Sequence, residues 1–119
     1  GQDSAPTAAQ PGATVKHMNA QDAYAYLQSA DNITVLDIRT PEEYAAGHID
    51  GAALINFKSA DFSENISKLD KSAPYIVHCR SGGRSTKSLE ILKAQGFTNI
   101  THLDGGIKGW EAANLPLTE

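Results

Sequence analysis

The sequence predicts an α/β sandwich with a largely parallel central sheet, and three observations carry that reading. Short β-rich apolar runs, among them residues 34–38, Tyr75–His78 and Asn99–Leu103, alternate with segments of helical spacing. Strong helix start and stop signals separate them, Thr40-Pro41-Glu42-Glu43 and Gly96 being the clearest. Finally, the apolar run Tyr75-Ile76-Val77 leads directly into Cys79-Arg80-Ser81-Gly82-Gly83-Arg84-Ser85 and then a helix-like segment. In open α/β sheets, ligands bind beyond the carboxyl ends of strands, at such junctions.

The elements follow in order. Residues 1–13 are rich in Ala, Pro, Gln, Ser, Thr and Gly and hold almost no large apolar side chain, so residues 1–14 are expected as a flexible tail and residues 15–119 as one domain. Ala20, Ala23, Tyr24 and Leu27 keep helical spacing after Asn19, a good N-cap. Residues 34–38 form a short buried strand. Thr40 then fits the N-cap of a helix, Pro41 its first position and Glu43 the return arm of a capping box, with Gly47 at its end. A short strand at residues 52–55 precedes a helix marked by Phe62, Ile66 and Leu69. Tyr75–His78 is the central strand, residues 85–95 a helix closed by Gly96, and Asn99–Leu103 a further strand. Gly105-Gly106 turns the chain tightly into a last helix carrying Trp110, a core residue.

Composition excludes several function classes. The 119 residues are 40% hydrophobic and 20% charged, ordinary for a globular domain, and no apolar run approaches a membrane span. A net charge of −4 with no basic stripe argues against nucleic-acid binding. Within this acidic chain, residues 71–89 contain no Asp or Glu but hold Lys71, Arg80, Arg84 and Lys87, an island suited to a small anionic substrate. A single cysteine rules out an internal disulfide, a cysteine-rich zinc site and a Cys-x-x-Cys redox pair. Any covalent intermediate on it must be resolved by another molecule.

Cys79 is therefore the candidate nucleophile. Gly82 and Gly83 let successive amides curl toward one point, and the following helix adds its positive end. Amides and two arginines together favour thiolate over thiol and seat a small anion. Arg80, Arg84, Ser81 and Ser85 are the candidate binding groups beside Gly82 and Gly83, with Arg84 the favoured arginine. His78 adjoins Cys79, but strand neighbours point to opposite faces, so it is a poor base for the thiol. Spacing does not place His48 or His102, and no histidine is assigned.

Four segments resemble a known family. Val35-Leu36-Asp37-Ile38-Arg39 with Glu43 and Tyr44, Gly47-His48-Ile49-Asp50-Gly51-Ala52, residues 76–85 around Cys79, and Leu103-Asp104-Gly105-Gly106-Ile107 with Trp110 are similar, in order and spacing, to the signatures of single-domain rhodanese-like sulfurtransferases over residues 15–117. The resemblance implies a three-layer sandwich with helices flanking a mostly parallel sheet. It implies that the Cys79 thiolate takes the outer sulfur of thiosulfate or a similar anionic donor, releases sulfite, and passes the persulfide sulfur to cyanide or a thiol. No metal or organic cofactor is required, and a protein acceptor is one option. Asp37, Arg39, Glu43 and His48 are expected as scaffold; a buried Asp–Arg pair would fix the loop's neighbours, but one sequence does not show the pairing.

Two rival readings differ from this one. A cysteine phosphatase or arsenate reductase of related fold uses five residues between Cys and Arg, whereas four separate Cys79 from Arg84, a cradle better fitted to sulfur than to a phosphate ester. A persulfide carrier or regulatory module would need the same cysteine and a protein partner. The compartment stays open: the tail leans toward periplasmic export, while a lone reactive thiol suits the reducing cytoplasm.

Overall fold

The computed structural model describes residues 14–119, and the expected tail lies outside them except for Thr14. Ten elements run β1 (Thr14–Met18), α1 (Ala20–Ser29), β2 (Thr34–Asp37), α2 (Pro41–Ala46), β3 (Ala53–Leu54), α3 (Phe62–Ser67), β4 (Tyr75–His78), α4 (Gly83–Ala94), β5 (Asn99–Leu103) and α5 (Gly106–Ala112). The five strands form one sheet in the order β1-β5-β4-β2-β3, every pair parallel. The predicted α/β class and its parallel sheet are what the structure has.

Strand alternation sorts the core into two clusters. On one face Leu36, Tyr75, Val77, Cys79 and Ile100 pack with Phe62 and Ile66 of α3 and Leu89 and Leu92 of α4. On the other, Val35, Ile76 and Leu103 pack with Ala20 and Ala23 of α1 and Ile107 and Trp110 of α5. Fully burying one such Leu, Ile or Phe side chain contributes roughly 1.5–3 kcal/mol, so each helix is held by its apolar face more than by its own propensity.

The local signals act as their chemistry dictates. Asn19 caps α1 by accepting the Asp22 amide at 2.8 Å. Thr40 and Glu43 form the reciprocal capping box of α2, with Pro41 at its first turn. The helix expected at residue 85 instead begins at Gly83, because Gly82 already makes the turn at φ +120°. β1 was not foreseen as a strand. It is an edge strand bonded to β5 alone, and Lys16 and His17 are exposed, so it lacks a continuous apolar run.

Two features set the carboxyl end of the sheet. β4 is the middle strand, so its carboxyl end at His78–Cys79 lies between β5 and β2. The β4–β5 and β1–β5 registers then put Val77, His102 and His17 side by side on the α4 face.

Candidate active site

Cys79 sits on the floor of the loop that joins β4 to α4, and only 1% of the residue is exposed. Its Sγ accepts the Gly82 amide at 3.1 Å and the Ser85 amide at 3.4 Å, and lies 3.4 Å from Ser85 Oγ. Burial pushes the thiol pKa up. Hydrogen bonds from the Ser85 side chain and from the Ser85, Gly82 and Ser81 amides outweigh it and leave the thiol below its ordinary value. The start of the twelve-residue α4 adds its dipole to the same effect.

The amides point inward because the carbonyls are held outward. Ile107 and Lys108 at the start of α5 donate to the carbonyls of Cys79 and Arg80, each at 3.0 Å. That contact needs the backbone of Gly106 pressed against the loop. A Cβ on Gly106 would lie 2.5 Å from the Arg80 carbonyl oxygen, and its φ is +60°. The tight turn expected at Gly105-Gly106 is therefore the clamp that shapes the cysteine loop.

The two arginines differ. Arg84 reaches from α4 to α2, its two terminal nitrogens each 2.9 Å from one carboxylate oxygen of Glu43. The Arg84 guanidinium is the main cause holding the Glu43 carboxyl down at about 2, ahead of an opposing push from burial. Arg80 is exposed and has no carboxylate partner among the described residues. It lines a cleft of about 190 Å³ with Arg39, Glu43, Gly47 and Ile107. Arg84, favoured in sequence as the anion holder, thus has a competitor already in its fork. Ser81 and Gly83 are exposed at the loop surface and Ser85 is fully buried.

His78 does not reach the thiol. It is fully buried and its Nδ1 donates to the Cys79 carbonyl at 2.9 Å, while its bare Nε2 stands 3.7 Å from Asp37 Oδ2. Burial, partly offset by the Asp37 charge, lowers its pKa and keeps it neutral. Asp37 is fully buried and pairs with Arg39 at 2.7 and 2.8 Å, and Arg39 also donates to the Gly47 carbonyl. The two form a buried pair, an arrangement the sequence allowed without showing the pairing. His48 stacks on Tyr44 at 3.6 Å and contacts its carbonyl, away from the loop.

One residue left unassigned in sequence belongs here. His102 Nε2 is 2.6 Å from Ser85 Oγ, and its Nδ1 is 2.8 Å from Asp104 Oδ1. His17 Nδ1 meets the same carboxylate oxygen at 3.0 Å. These are hydrogen-bond distances. The three side chains, the one His/Asp grouping among the described residues dense enough to suggest an ion, are thus closed on one another by hydrogen bonds. The only clue in the sequence was the parallel register, which cannot be read without the strand order. A larger cavity of about 420 Å³ lies between α1, α5 and the C-terminal segment, but no cysteine, serine or histidine lines it.

Comparison with known proteins agrees with this architecture. The Rhodanese-like domain family matches residues 19–113. Thiosulfate sulfurtransferase GlpE of Pseudomonas entomophila is 43% identical over 84 residues, which cover 70% of this chain and 74% of that protein. Probable adenylyltransferase/sulfurtransferase MoeZ of Mycobacterium tuberculosis is 34% identical over 105 residues, and there the chain spans only 26% of the longer protein. A rhodanese-related protein of Thermoplasma volcanium superimposes with a TM-score of 0.76 at 30% identity, covering 87% of this chain and 97% of that one. With the sheet order, the cysteine loop and the Gly105-Gly106 clamp all in place, the chain belongs to the rhodanese-like domain family.

Proposed function

We propose that this protein is a sulfurtransferase that carries sulfane sulfur as a persulfide on Cys79. The observation that carries the reading is the Cys79 sulfur at the start of α4, facing the Gly82 and Ser85 amides and the Ser85 hydroxyl. Names of relatives such as thiosulfate sulfurtransferase point to the same chemistry.

The Cys79 thiolate attacks the outer sulfur of thiosulfate or a similar anionic donor with its electron pair. That pair forms the new S–S bond, the donor's own S–S bond breaks, and sulfite leaves with the two electrons of the broken bond. The terminal sulfur of the persulfide carries the negative charge, and loop donors stabilise it without reorganising. A thiophile, cyanide or a thiolate, then attacks the terminal sulfur and Cys79 leaves as thiolate. No net oxidation is involved.

Arg80 receives the donor in this reading, because its guanidinium has no carboxylate partner among the described residues and lines the cleft beside the loop. Arg84 contributes a fixed positive charge through its Glu43 pair. Only 1% of Cys79 is exposed, which suits a small donor entering over the loop better than a flat protein surface.

Intact-mass measurement after thiosulfate tests the proposal. One added sulfur on Cys79, removed by cyanide with thiocyanate formed, is expected, and Cys79→Ala should show neither. An alanine variant that still turned over would overthrow the mechanism. Loading by thiosulfate with discharge only to a protein thiol would instead mark a relay.

A further inference from the structure

We propose that His102, oriented by Asp104, draws the proton of Cys79 through the Ser85 hydroxyl, so that the thiolate forms as one half of a thiolate–imidazolium pair. The inference rests on Cys79 being the nucleophile of the reading above. It adds a positioning residue from the opposite edge of the loop.

The hydrogen-bond inventory carries it. The Asp104 carboxylate is an acceptor only, so His102 Nδ1, 2.8 Å away, must hold a proton. In the neutral imidazole that leaves Nε2 bare. Ser85 Oγ lies 2.6 Å from this Nε2, too close for two facing lone pairs, so the single Ser85 proton sits between them. The hydroxyl is then no donor to Cys79, and the thiol donates its own proton to Ser85 Oγ at 3.4 Å. The Gly82 carbonyl, 3.2 Å from Ser85 Oγ, is the more distant claimant for that proton.

A thiolate reverses every arrow. It needs the Ser85 proton, and Ser85 Oγ must then accept from His102 Nε2–H. Nδ1 keeps its proton toward Asp104, so His102 becomes imidazolium. One proton passes from Sγ to Oγ, one from Oγ to Nε2, and the chain as a whole gains or loses none. The relay is buried at its centre, with Cys79 at 1%, Ser85 at 0% and His102 at 3% exposure, and opens to solvent at Asp104 and His17. Burial makes each of these hydrogen bonds count for more than it would in water.

The charged and titratable neighbours are accounted for on each side. From β1, His17 lies edge-on to His102, ring centres 5.3 Å apart, and shares its carboxylate. From β4, His78 is kept neutral by burial, beyond Asp37 and Arg39, which neutralise each other. From α4, Arg84 lies near Cys79 and favours the thiolate, but its fork is closed on Glu43. None of these can take the Cys79 proton.

Alkylation of the full chain by iodoacetamide, followed by intact mass across pH, tests the relay without using any sulfur donor. Asp104→Asn keeps an exposed polar side chain but removes the charge that holds imidazolium. We expect its rate to fall about tenfold at neutral pH, with the rising limb moved up about one pH unit and the plateau at high pH unchanged. His102→Gln should move the limb in the same direction at least as far. Superimposable profiles for wild type and folded Asp104→Asn would overturn the relay. A shifted profile in a protein that never loads sulfur would uphold the relay while sinking the sulfurtransferase reading.

Discussion

Glu43 and Arg84 face each other across the mouth of the site, two parallel hydrogen bonds of 2.9 Å joining α2 to α4. Glu43 Oε1, which takes Arg84 Nη1, also accepts the Thr40 amide and hydroxyl, each at 3.0 Å. One carboxylate therefore caps its own helix and ties it to the helix that follows Cys79. Because the folded value, about 2, lies below the ordinary 4.5, the pair stabilises the fold fully above about pH 4.5. That contribution is lost as pH falls from there toward 2. Both side chains are partly solvated, so it is on the order of 1–2 kcal/mol rather than the full shift. Thermal melts should show wild type losing stability relative to Glu43→Gln across that window and matching it at the acid end. A constant gap would remove Glu43 as the cause.

Arg80 and Arg84 should separate kinetically. Arg80 makes no ion pair among the described residues and is exposed, so Arg80→Ala should leave stability within about 0.5 kcal/mol. Its effect should fall on the apparent KM for thiosulfate, raised several-fold. Arg84→Ala strands Glu43 and loosens α2, so it should cost stability and kcat together. Steady-state kinetics paired with urea melts distinguish them, and an Arg80 variant with unchanged KM would return the donor to Arg84.

Gly106→Ala probes the clamp. The added methyl would collide with the Arg80 carbonyl, a backbone atom that cannot rotate away, at a φ of +60°. A loss of about 1–3 kcal/mol and a large drop in sulfur loading are expected, as α5 and the loop separate. Gly109→Ala in the same helix meets nothing closer than 3.7 Å and should be neutral or slightly stabilising. Equal effects at the two glycines, read by melting and persulfide yield, would deny the clamp its special place.

The cysteine loop was legible in sequence because it is contiguous. Cys79, Gly82 and Ser85 fall within one turn of chain, and glycine spacing alone implies amides converging on sulfur. The helix starts at Asn19 and Thr40 were legible for the same reason, since capping is local. Contacts made through the sheet were not. Glu43 meets Arg84 across 41 residues and Ser85 meets His102 across 17, and both depend on strand order. The local capping box already accounts for Glu43 in sequence, so nothing there signals its second bond. β1 escaped because an edge strand with solvated Lys16 and His17 carries no apolar run.

In the proposed reaction the thiolate attacks, and against the upward push of burial the Ser85 hydroxyl and the loop amides hold the Cys79 thiol below its ordinary value of 9.0. The rate of persulfide formation from thiosulfate should therefore rise with pH and level off before the range in which a free thiol titrates. The same shift makes a statement about stability. A depressed folded value contributes stability that is full above pH 9.0 and vanishes as pH falls through the folded value. Wild type should thus gain on Cys79→Ser as pH rises toward 9, whereas a buried, unassisted thiol would lose ground. Stopped-flow loading and paired denaturation curves read the two signs independently, and a loading rate still climbing tenfold per unit at pH 9 would place the thiol in the ordinary range and remove the loop's role in activating it.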